Sequence, residues 1–207
     1  MFVITVDQKN STTAGNRAAQ QMRQLEQQHG ESLLLPAAQF AGDELQLITD
    51  DPTTVAAVAL DLAGDDWHVG IGIGNGSLST SAADSHGTAF QAARDAVNAA
   101  KPLPWHIAVR SSEDAEAAQD CEAALALLQT LQSRRTDAGN EIAELIDRLG
   151  SVTAAAEHLG ISVSAASKRA RIAGLRHEQA GIELAERLLA RADASTKMTE
   201  VADKVDA

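Results

Sequence analysis

The stretch Gly70-Ile71-Gly72-Ile73-Gly74-Asn75-Gly76 constrains the fold more than any other part of the chain. Side chains of a strand alternate between its two faces, so Val69, Ile71 and Ile73 form one apolar face and the glycines leave the other bare. Glycine packs nothing and costs backbone entropy, so a bare face implies that a helix, a partner chain or a ligand approaches closely there. The spacing does not fit a dinucleotide-binding fingerprint, and Asn75-Gly76 reads as a hairpin turn.

Around this strand the first half alternates short strands and helices. Phe2–Val6 is a buried strand ending at Asp7, and a helix is expected from about Asn16 to Gln28, ended by Gly30. Ser32–Phe40 reads as a second strand, with Pro36 demanding a bulge or an edge position. Gly42-Asp43 turns the chain into a third strand, Glu44–Thr49; Asp51-Pro52 opens a helix, and Trp67–Ile73 follows as a strand. The order β-α-β-β-α-β predicts an α+β, ferredoxin-like sandwich with its helices on one face of an antiparallel sheet. A helix Thr88–Ala100 and a strand Trp105–Val109 complete a domain over residues 1–112.

The second half reads as helical throughout. A connecting helix rich in Ala and Leu occupies 113–136, with a hinge over Arg134–Asn140. Ile142, Leu145, Ile146 and Leu149 then repeat as one helical stripe closed by Gly150. Residues 137–193 are expected to form an all-α helix-turn-helix domain ending in a helix over about Glu178–Ala192, and the polar residues 194–207 a disordered tail.

Val152–Arg171 carries the pattern of the helix-turn-helix. Ser151 or Thr153 caps a short helix, Ala156 is small where two helices cross, Gly160 supplies a left-handed turn, and Ser162 caps the next helix. On that second helix Ala166, Ala170 and Ala173 share one face, while Ser164, Lys168 and Arg171 share the opposite one. The expected DNA-contacting set is Ser162, Ser164, Ser167, Lys168, Arg169 and Arg171. An ordinary helical hairpin with a solvated cationic face is the plainer alternative. Net charge is −12, yet residues 161–177 hold four cations and no acid, and local charge decides whether double-stranded DNA is attracted. Aromatics at 2% disfavour modules that stack several bases. One recognition unit binds weakly alone, so a homodimer is expected.

A single cysteine excludes an internal disulfide, and no apolar run reaches the roughly 20 residues that span a membrane. A cytoplasmic protein is therefore expected. The histidines show no zinc-ligand spacing.

Asp7 at the end of the first strand and Asp43 in the turn before the third converge if those strands are neighbours. Two such carboxylates suit Mg²⁺ held together with a substrate's phosphates. Asn10, Ser11, Thr12, Thr13 and Gly15 then offer hydroxyls and free N–H groups at a helix start, a cradle for phosphate. Strand-end and turn acids of no function are the plainer reading, and Arg94 serves equally as a phosphate neutraliser, a surface cation or a partner for Asp84.

Asp7-Gln-Lys-Asn-Ser11-Thr12 resembles the metal and phosphate loop of class III nucleotidyl cyclases, and Gly42-Asp43-Glu44 resembles their second metal-binding turn. The chain over about residues 1–193 resembles the SatD family of small bacterial proteins. The resemblance rests on the Asp-x-x-x-Ser start, Gly42 to Gln46, Gly87 to Arg94 and the carboxy-terminal DNA-binding segment. It implies a cyclase-like domain with Mg²⁺ and ATP or GTP at Asp7, Asp43, Asn10 to Thr13 and Arg94. Gln39 stands where cyclases carry a base-reading lysine, and Phe90 where they carry a ribose-binding asparagine. The expectation is therefore a sensor more than a catalyst. A divergent cyclase or nucleotidase with an appended helix-turn-helix, and a first domain that only dimerises, are the alternatives.

Overall fold

The computed structural model describes residues 1–9, 17–40, 42–64 and 66–205, with side chains through Thr196. The strands are β1 (Phe2–Gln8), β2 (Ala38–Phe40), β3 (Glu44–Thr49), β4 (Trp67–Ile73) and β5 (Ile107–Ser111). The helices are α1 (Ala18–His29), α2 (Pro52–Leu62), α3 (Thr88–Ala100), α4 (Ala115–Ser133), α5 (Asp137–Leu149), α6 (Val152–Leu159), α7 (Val163–Ile172) and α8 (Leu175–Val205). The chain is α+β, with one sheet in the order β2-β3-β1-β4-β5. β1 lies between β3 and β4, antiparallel to both, and β5 joins β4 in parallel after the crossover through α3.

Each face of the sheet takes the helices that its side chains allow. Phe2, Ile4, Val6, Leu45, Leu47 and Ile71 point to the larger core, which α1, α2, α4 and α8 cover. The opposite face carries Val3, Ile48 and Ala108 and packs against the alanines of α3. The occupant of the bare glycine face is thus α3, not a ligand or a second chain. A Cβ on Gly70 would stand 2.1 Å from the Val97 nitrogen, and one on Gly72 would stand 2.1 Å from the Ala89 carbonyl oxygen. Both obstacles are helix backbone, which no rotamer change can move aside.

Several expectations are corrected. The two helices of the β-α-β-β-α-β unit, α1 and α2, do share one face, but the further helix α3 takes the opposite, glycine side. The second strand shrinks to Ala38–Phe40, since Gly30–Ser32 winds into a 3₁₀ turn and Pro36 interrupts pairing; ahead of it Ser32, Leu33 and Leu34 make isolated contacts with β3. Asn75-Gly76 makes no strand hairpin: Asn75 accepts the Ala89 N–H (3.0 Å) and helps start α3, and Ser77 and His86 bridge the loop base. The last strand begins at Ile107, not Trp105.

The helical half departs further from a separate domain. Helix α4 is capped by Asp114 and buries Ala118, Cys121, Leu125 and Leu128 in the sheet's main core, so it is more than a connector. Helices α5, α6 and α7 form their own core around Ile142, Leu145, Ala155, Ala156, Ala166 and Ala173. Thr136, Ser151 and Ser162 cap them, and Gly150 and Gly160 end α5 and α6 in the left-handed conformation at φ 76° and 63°. Helix α8 returns to the first core with Ala185, Leu189 and Ala192. The tail expected to be disordered from 194 continues this helix to Val205. Its buried Asp193 pairs with the Met1 ammonium, and the Thr196 hydroxyl donates to the Ala192 carbonyl (3.1 Å). Among the described residues no helix is long and apolar enough to cross a membrane.

Gly72→Ala is expected to destabilise the fold by about 2 kcal/mol or more, because overpacking against immovable backbone exceeds the usual cost of an added methyl. Urea unfolding followed by circular dichroism measures it as a lowered midpoint at unchanged slope.

Candidate functional site

Register places four titratable side chains in a row across one end of the sheet, on the face that α3 covers. Glu44 of β3 pairs with Asp7 of β1, and Asp7 pairs with His68 of β4, so their side chains share a face. His106, just before β5, completes the row with its ring 5.0 Å from that of His68, edge to face. His106 adopts φ 56°, a left-handed conformation uncommon outside glycine.

Two cations of α3, one heptad apart, reach down to this row. Lys101 Nζ lies 3.3 Å from Asp7 Oδ2, and Arg94 lies 3.7 Å from Glu44 Oε1. Asp43 precedes Glu44 in the turn, and its carbonyl accepts the Gln8 N–H at 3.3 Å. Asp7 and Asp43 therefore come to the same strand end, as neighbouring first and third strands require. Burial pushes the Glu44 carboxyl above its ordinary range; Arg94 and Lys101 counter this, while Asp7 and Asp43 add repulsion. Crowded carboxylates of this kind favour a bound cation. Asp7 and Asp43 supply two carboxylates, and among the described residues no group of three or more His, Cys, Asp or Glu is placed to hold a metal ion. The expected phosphate cradle, Asn10, Ser11, Thr12 and Thr13, lies outside the described residues, as does Gly15. Arg94 pairs with Glu44 and not with Asp84, which accepts from Ser81 at 2.7 Å.

Sequence reasoning missed Glu44, His68, His106 and Lys101. The signal was present in part: Glu44 follows Asp43, but only strand register shows that Asp7 and His68 continue its row.

On α7 the expected opposition of faces is present. Ser164, Ser167, Lys168 and Arg171 are exposed, while Ala166 and Ala173 are buried against α5 and α6. Ser162 uses its hydroxyl to accept the Ala165 N–H at 3.2 Å. Arg169 stands apart from the other cations, turned toward Glu141 of α5 at 3.7 Å. Ser167 and Arg171 also form the lip of an open cleft of about 1180 Å³ that reaches Asp147 of α5 and Asp61 of α2. Burial raises the Asp61 carboxyl, His29 opposes that, and Asp147 adds to it. The cleft's mixture of charges converges on no single point.

A buried junction ties this unit to the rest. Arg135 donates from Nε to the Ala173 carbonyl (3.1 Å) and pairs with Glu178 of α8, to which Gln132 of α4 donates at 2.8 Å. The segment read as a hinge is therefore a fastening.

Comparison with protein-family models, curated proteins and solved structures returned no match.

Burial, with Lys9, His106 and Lys101 nearby, lowers the His68 pKa to about 4. The folded state keeps this ring neutral, whereas an unfolded histidine takes up a proton near 6.5. Its contribution is thus complete above that value and is lost as pH falls toward 4. In denaturant titrations over this range, His68→Gln is expected to lose less stability than the parent chain. Parallel pH profiles would contradict the assignment.

Proposed function

We propose that this chain is a DNA-binding regulator of the cytoplasm, acting as a homodimer, whose α+β half binds a nucleoside triphosphate or related phosphate ligand with Mg²⁺. One observation carries the reading. Helix α7 follows a left-handed glycine turn, buries alanines on one side and offers Ser164, Ser167, Lys168 and Arg171 to solvent on the other. A helix-turn-helix works by this division: a small inner face seats the helix against its neighbours, and a cationic outer face enters the major groove. Lys168 and Arg171 would meet phosphates or guanine edges, and Ser164 and Ser167 phosphates or base edges. Ser162 would serve mainly as the cap, and Arg169 would need to leave Glu141 to reach a phosphate.

The strand order β2-β3-β1-β4, with β1 antiparallel to both neighbours, supports reading the first half as ferredoxin-like, and with it the resemblance to class III cyclases and to the SatD family. In this reading Asp7 and Asp43 would hold the metal, Arg94 and Lys101 would meet the phosphates, and Asn10 to Thr13 would supply further phosphate-binding groups. Mg²⁺ would supply charge neutralisation of the phosphates. Lys101 holds Asp7 in place and would exchange that carboxylate for phosphate oxygen on binding. Gln39 stands in place of the base-reading lysine of cyclases, and Phe90 cannot hydrogen-bond a ribose, which favours sensing over turnover.

Fluorescence anisotropy on double-stranded genomic fragments tests the DNA half. If both cations of α7 lie on phosphates, Lys168→Ala with Arg171→Ala lowers the salt dependence of log K by about 2. Unchanged affinity and slope would sink the DNA reading. Thermal shift with ATP or GTP tests the other half. Ligand at ~100 times its dissociation constant stabilises the fold by about 2.7 kcal/mol, and Asp7→Ala is expected to abolish the Mg²⁺-dependent part. No rise with either nucleotide would remove the ligand from the proposal and leave the DNA half standing.

A further inference from the structure

Helices α4 and α8 cover the sheet's main core with their inner sides and leave an apolar seam on their outer sides. Leu127 is 73% exposed, more than any other large apolar side chain among the described residues, and Leu184 of α8 is 45% exposed. Half-buried Ala124, Leu131 and Leu188 and exposed Ala180 extend the seam along both helices. Isolated exposed leucines mean little, but a continuous strip along a helix pair is the kind of surface that another protein covers.

The charges at one end of the seam indicate what covers it. The two helices run antiparallel in a register set by two contacts: Leu128 fills the space beside Gly181, and Ser195 donates to Asp114 at 2.8 Å. This register puts Asp120 level with Leu189, between Arg187 and Arg191, and puts Glu116 about half a turn beyond Arg191. All four charged groups are exposed, and among the described residues none makes an ion pair within 4 Å. One helix thus ends the seam in acids and the other ends it, at the same level, in arginines.

Such a strip is complementary to itself. We propose that the outer face of α4 and α8 is the homodimer interface, with the two-fold axis parallel to the helices, so that α4 of one copy lies on α8 of the other. A two-fold in this direction exchanges the helices and preserves their level. Asp120 then meets the partner's Arg187, Glu116 meets the partner's Arg191, and Leu127 falls beside the partner's Leu184. An axis across the helices would instead set α4 on α4 and bring the acids against the apolar end. The same axis keeps both three-helix units at one end of the dimer, because α5, α6 and α7 lie between the end of α4 and the start of α8. This deepens the homodimer of the proposed function, but its test reads mass and does not depend on DNA binding.

Sedimentation velocity of the full chain, with circular dichroism to confirm folding, decides it. The parent chain is expected at twice its monomer mass. Asp120→Arg alone and Arg187→Asp alone each set like charges together twice per dimer and are expected to weaken association by about tenfold or more. Mixing these two variants restores opposite charges at both contacts and is expected to regain the dimer, a rescue that damage to the monomer cannot produce. Leu127→Asp is expected to give a folded monomer. A parent chain that stays monomeric overturns the proposal. So does a dimer that survives Leu127→Asp, or a pair of weakened variants that mixing fails to rescue.

Discussion

The contact between β4 and α3 sets the position of nearly everything else. With no Cβ at Gly70 or Gly72, the α3 backbone rests directly on the strand, closer than any side chain would permit. The inner face of α3 is accordingly built from alanine, and its axis is fixed by main chain rather than by adaptable side chains. Its other side then holds Arg94 and Lys101 above Glu44 and Asp7. Because α3 alone occupies the glycine face, α1, α2, α4 and α8 must cover the other. The three helices that α4 and α8 carry are consequently anchored through the sheet face opposite the carboxylate row.

The fastening of those three helices is polar and buried. Arg135 and Glu178 expose only 8% and 13% of their side chains, and the guanidinium also takes the carbonyl that ends α7. Removing one member of such a pair leaves a buried charge without its counter-ion, which costs several times what an exposed ion pair contributes. Glu178 further accepts from Gln132, so the end of α4, the end of α7 and the start of α8 meet at one point. This junction holds α7, and with it that helix's exposed face, against the end of α4 and the start of α8.

Local chemistry was legible in the sequence where one element suffices to express it. Alternation in Val69–Ile73 revealed a bare strand face, and Ser151, Gly160 and Ser162 marked the ends of α6 and the start of α7. What stayed hidden depends on distant partners. Arg135 looks like a turn residue until Glu178 is beside it. Residues 193–196 look like a polar end because the groups that bury them, the Met1 ammonium for Asp193 and Asp114 for Ser195, lie far off in the chain. For the same reason α8 reads as part of a small helical domain, although its later half completes the core of the first. At this end of the sheet Asp7 and Asp43 stood out by position, whereas His68 and Lys101 are brought to Asp7 only by strand register and helix crossing.

Strand β4 is one of the elements that the two halves of the molecule share. Its glycine face carries α3 and, through it, the cations over Asp7 and Glu44. Its other face puts Val69, Ile71 and Ile73 into the core that α8 enters with Leu189 and Ala192. A ligand shifts a distant equilibrium only by as much as its affinity differs between two arrangements, so what matters is whether a movement of α3 is absorbed on the way. At most helix–sheet contacts side chains take up small shifts by changing rotamer. Here helix backbone meets strand backbone, and nothing between them can repack. A displacement of α3 would have to be taken up by β4, whose other face lies in the core that α8 enters.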